Sequence, residues 1–138
     1  MSSIQERCNA IEECYEFMLA YAAQGLAGDE ANRSDQQVRD FIGRAVQALS
    51  GLAESYANTI NEENLSPVER HRAFLAVLDR DARDSLAAME LVLNQPVISS
   101  QLIDNLNASI HLRALLTDLF LIDEILKLHS QRSACQPQ

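Results

Sequence analysis

The chain has 138 residues, a formal net charge of −9, 47% hydrophobic and 5% aromatic residues, and no Trp. Such a length suits one domain able to bury a core without disulfides or metals. The acidic balance, with no basic patch to offset it, argues against nucleic-acid phosphates as a partner, and no stretch reaches the roughly 18 apolar residues of a membrane span.

The first predicted element is an amphipathic helix from about Ser3 to Leu26. Ile4, Cys8, Ile11, Tyr15, Met18, Ala22 and Leu26 recur at helical spacing, with Glu6, Asn9, Glu12, Glu13 and Glu16 opposite. Gly25 and Gly28 end it, and residues 28–34 read as a loop. Ser34 is an N-cap for a second helix reaching Asn61, with Val38, Phe41, Ile42, Ala45, Leu49, Leu52, Ala53, Tyr56 and Ile60 inward. A third helix begins at Ser66-Pro67-Val68-Glu69, which combines a capping Ser, Pro at the first helical position and Glu at the third. Leu65 supplies a hydrophobic staple, and Asn94-Gln95-Pro96 stops the helix. The fourth begins after Ser99-Ser100, carries Leu102, Leu106 and Ile110 inward, and reaches about Leu128. Short links between long helices predict an all-α, up-down antiparallel four-helix bundle over residues 1–129, followed by a polar, frayed tail over 130–138.

The fourth helix departs from the pattern of the other three. From Leu112 to Leu128 apolar residues point almost all round, whereas a bundle helix hides one broad stripe. The surplus predicts self-association or docking through Leu112, Leu115, Leu119, Ile122 and Leu126. Arg113, Thr117 and Glu124 share a side with Phe120 and would need polar partners if buried.

No pattern in the chain specifies chemistry. None of His71, His111 and His129 has the Glu three residues earlier that a di-iron bundle requires. His111 lacks the following Lys expected of a phosphotransfer bundle. An up-down arrangement brings Cys8, Tyr56, His71 and His129 toward one end, where Cys8, His71 and His129 form a minor candidate set for zinc. Half-buried polar side chains closing the bundle explain the same residues without a metal, so no metal or cofactor is expected. The three Cys give no disulfide framework; Cys8 and Cys14 read as small buried hydrophobes and Cys135 as a thiol in the tail. The four Gly are too scattered for a phosphate-binding loop. The N-terminus shows no signal-peptide pattern, which points to the cytoplasm.

These observations favour a non-enzymatic helical interaction protein, an adaptor, chaperone or inhibitor. It would act through an acidic surface and the apolar face of its last helix, with another protein or a second copy as partner. The alternative is a bundle that binds a small ligand or metal, lined by Tyr15, Met18, Phe41 and Met89.

Overall fold

The computed structural model describes residues 3–135. It is all-α, with no strand among the described residues: α1 (Ile4–Ala23), α2 (Gly28–Ser50), α3 (Leu52–Glu62), α4 (Val68–Leu93), α5 (Ser100–Ala108) and α6 (Ile110–Cys135). The expected count of four becomes six because two predicted helices are each divided, one at Gly51 and one at Ser109. α1 packs mainly on α2 and α5, and α4 lies against α2, α3 and α6.

Each division carries a distinct set of contacts. At Gly51 a Cβ would lie 2.6 Å from the Arg7 guanidinium carbon, so glycine leaves room for that group where it sits. Arg7 uses the room to donate from Nη1 to the carbonyls of Gln47 (3.2 Å) and Ala48 (3.0 Å), which the end of α2 leaves free. At Ser109 the backbone is extended (φ −63°, ψ 143°), and its Oγ accepts from Leu112 N at 3.3 Å, so the residue closes α5 and caps α6.

Other boundaries also differ from expectation. α2 begins at Gly28, six residues before Ser34, with Asp29 and Glu30 in its first turn facing the positive helix end and Ala31 fully buried. Gly28 itself has φ +56°, a conformation that suits glycine at the junction. The capping box expected at α4 does not form: Pro67 holds the cap position with no side-chain bond, and Arg70 N and His71 N bond to the Pro67 carbonyl. Leu65 is buried in the core, in keeping with its place before that helix start. α6 runs to Cys135, so residues 130–135 of the expected tail are helical. Residues 136–138 and the Cys135 side chain lie outside the described residues.

One core spans all six helices, from Ile4, Cys8, Ile11, Cys14 and Met18 on α1 to Leu112, Leu115, Leu119 and Ile122 on α6. A polar clasp ties the end of α1 to the start of α5. Ser100, buried, donates from Oγ to the Tyr21 carbonyl (2.6 Å) and accepts there from Leu26 N (2.7 Å). Its own N–H reaches the Leu26 carbonyl at 2.9 Å. Alongside, Tyr21 Oη donates to the Ile98 carbonyl (2.6 Å) and Asn107 Nδ2 to the Met18 carbonyl (3.2 Å). Replacing Ser100→Ala strands the Leu26 N–H and removes one of the two donors to the Tyr21 carbonyl, which also accepts from Gln24 N. It should lower unfolding stability by about 2 kcal/mol, read as a lower urea midpoint at unchanged slope.

Candidate interaction surface

Positions on α6 divide by helical phase. Leu112, Leu115, Leu119 and Ile122 are buried and Leu126 is half-buried against the core. These are the five residues expected to form an intermolecular contact, and their contacts lie within the chain. The surplus apolar surface belongs to another set: Ile110 (74% exposed), Phe120 (58%), Leu121, Ile125 and Leu128 (53%). Ile110, expected inward with Leu102 and Leu106, therefore faces out. At about 100° per residue these side chains fall on one face, centred on Thr117 and opposite Leu119.

Arg113, Thr117 and Glu124 also lie on the outward face and are exposed, so none needs a buried partner. Thr117 Oγ1 donates to the Arg113 carbonyl at 3.0 Å. Lys127 pairs with Asp123 at 3.3 Å. The strip thus carries Arg113 against Glu124 and is locally neutral on a chain of formal charge −9.

Behind this strip, where α4 meets α6, lies a carboxyl pair. Asp118 is only 5% exposed, and its Oδ2 has no hydrogen-bond partner within the protein. Burial, a hydrogen bond with Asp81 and the charge of Asp81 together raise its pKa from 3.8 to about 7. Close by, Ser85 Oγ donates to the His111 carbonyl (3.0 Å), and His111 Nδ1 approaches Asp84 at 4.0 Å.

The candidate metal residues are not brought together. His71 Nδ1 is 2.9 Å from Tyr56 Oη, His129 approaches Glu63 at 4.0 Å, and Cys8 is buried in the core. Among the described residues no group of three or more His, Cys, Asp or Glu side chains is placed to hold a metal ion. Burial pushes the Cys8 and Cys14 thiols up to about 12, so both stay protonated and are poor nucleophiles at neutral pH. Tyr15, Phe41 and Met18 pack into or against the core, as does Met89. A groove of about 720 Å³ opens at the end where α1 starts and α6 approaches its end, lined by Arg7 and Lys127 and by Glu54, Glu62, Glu63 and Asp123. No helix among the described residues is long and apolar enough to cross a membrane.

Arg7 and Arg39 were not singled out by the sequence pattern, yet both anchor helix ends. Arg39 donates from Nε to Asp35 (2.5 Å), from Nη1 to the Leu93 carbonyl (2.6 Å) and from Nη2 to the Gln95 carbonyl (2.5 Å). Helical spacing of Asp35 and Arg39 marks a possible ion pair, but only the tertiary structure supplies the two carbonyls. No protein-family model, curated protein or solved structure matches the chain.

The Asp81–Asp118 pair makes stability depend on pH with a defined sign. A carboxyl whose pKa is higher folded than unfolded stabilises the fold while protonated, and this is lost as pH rises through the folded value. The melting midpoint should therefore fall between pH 5 and pH 8, with Glu12, also raised by burial, acting in the same sense. Asp118→Asn should flatten that dependence. An equally steep profile in the variant would show that the pair is not its source.

Proposed function

We propose that this chain is a non-enzymatic helical interaction module that binds another protein, or itself, through the solvent face of α6, in the cytoplasm. The observation that carries the reading is the strip of Ile110, Phe120, Leu121, Ile125 and Leu128, five large apolar side chains exposed along one helix face. Scattered exposed hydrophobes are ordinary, but an aligned set on a rigid, core-anchored helix offers the stripe by which helices recognise one another. The acidic remainder of the surface favours solubility and suits a partner of basic or neutral character. The six helices are read as four rods, with α2–α3 and α5–α6 each serving as one interrupted rod of an up-down bundle. The groove lined by Arg7 and Lys127 supports a second reading, binding of a small polar ligand. Its four carboxylates outnumber its two cations and leave it without a defined preference.

Two substitutions on the same helix separate interaction from folding. Leu119 is fully buried, so Leu119→Asp should destabilise the fold by more than about 4 kcal/mol and is useless as an interface probe. Leu121→Asp, on the exposed strip, should leave helicity and melting midpoint nearly unchanged while abolishing association. The test compares wild type with Leu121→Asp by sedimentation and by affinity capture from the native host. A contact made by the wild type and lost in the variant is the expected result. Identical behaviour of the two proteins would refute the reading.

A further inference from the structure

We infer that the occupant of the α6 face is α6 of a second copy of this chain, laid antiparallel across a two-fold axis that crosses the outer face at the level of Leu119. This rests on the reading of that face as an interaction surface and adds the partner and the register. In an antiparallel pair about a two-fold axis, residue i of one copy faces residue j of the other with a constant sum of i and j. A single value of that sum, within one residue, pairs most of the strip and sets Ile125 beside Arg113 of the second copy. Ile110 meets Leu128 of the second copy, Arg113 meets Glu124, and Thr117 meets Phe120 and Leu121. Apolar residues oppose apolar residues at both ends, Thr117 lies against Phe120 and Leu121 at the centre, and the Arg113–Glu124 pair occurs twice by symmetry.

A parallel pair would set every residue against its own copy, placing Arg113 on Arg113 and Glu124 on Glu124. Charge therefore selects the antiparallel arrangement. The strip is also suited to a second copy of an acidic protein, because its own charges cancel and the net charge of −9 lies on other surfaces. Thr117 already spends its hydroxyl proton on the Arg113 carbonyl, so covering it strands no donor. The neighbouring helix adds to the patch. Ser85 bonded to the His111 carbonyl marks the α4–α6 register, and an antiparallel register carries the exposed Val77 toward the level of Phe120 and Leu121.

The contact is small. From Ile110 to Leu128 the strip is about 27 Å long, one helix wide, which places the pair at the low end of specific interfaces. A dissociation constant on the order of 10 μM is expected.

The test is sedimentation equilibrium of the full chain over a concentration series, for wild type, Arg113→Glu, Glu124→Arg, the double variant and Leu121→Asp. Each single reversal replaces two attractive pairs by two repulsive ones and should weaken the dimer about tenfold. The double variant restores opposite charges and should return to within about threefold of wild type. The single reversals move the net charge in opposite directions, so weakening by both reports the local pairing and not overall repulsion. A dimer that Leu121→Asp abolishes but the charge reversals leave untouched overturns the antiparallel register while keeping α6 as the contact. A wild type that stays monomeric at millimolar concentration overturns self-pairing. The broader reading then still stands if wild type, and not Leu121→Asp, retains another protein.

Discussion

The structure depends on how the free carbonyls at its helix C-termini are satisfied. The last turns of α1 to α5 carry no Lys, Arg or His that could do this locally. The missing donors come from distant segments. Arg7 of α1 reaches the end of α2, Arg39 of α2 reaches the end of α4, and Ser100 of α5 reaches the Tyr21 carbonyl near the end of α1. Each bond joins elements far apart in sequence, so closing a helix and fixing its neighbour are one event. Asp35 holds the Arg39 fork in place, and Gly51 leaves space for the Arg7 guanidinium. Charged donors suit these places because their bonds to carbonyls are stronger than neutral ones.

The same economy sets the orientation of α6. Its inward residues Leu112, Leu115, Leu119 and Ile122 enter a core already framed by α1 and α4. With that face committed, helical periodicity leaves Phe120, Leu121, Glu124, Ile125 and Leu128 no direction but outward. The buried Asp118 sits between the two faces. It costs stability whenever it ionises, since it has Asp81 rather than a cation beside it. Its position on the flank nearest α4 ties protonation to the packing of the helix that presents the strip.

The sequence showed an all-α chain because periodicity depends on neighbours a few residues away. It placed much of the inward stripe of the first two helices, including Ile4, Cys8, Ile11, Val38 and Ile42. It also showed that α6 is apolar on more than one side. Periodicity could not say which side meets the core, and the five residues nominated for an intermolecular contact are the ones that face inward. A wheel carries no absolute phase; only the packing of α4 and α1 supplies it. The setting of Gly51 was hidden because the Arg7 guanidinium that fills the space beside it comes from 44 positions away in the chain. The early start of α2 was hidden because Gly28 and Asp29 look like a turn until Ala31 is known to be buried. His71 at the predicted bundle end suggested a ligand, and its bond to Tyr56 gives it a structural partner instead.

The break at Ser109 connects folding to the proposed contact. In an unbroken helix Ile103, Leu106 and Ile110 would form one stripe at i, i+3 and i+7, and Ile110 would be buried with the others. Ile103 and Leu106 are buried, but the extended backbone at Ser109 resets the phase. The next turn then buries Leu112 and sends Ile110 to the surface at 74% exposure. A single residue between two helices thus gives α5 its grip on the end of α1 and gives α6 an apolar residue at the start of its outer strip. Without that reset the strip would begin at Phe120 and lose the residue that opposes Leu128. An antiparallel pair needs both ends of the strip, so the interruption that spoils the ideal helix is also what makes the outer face self-complementary.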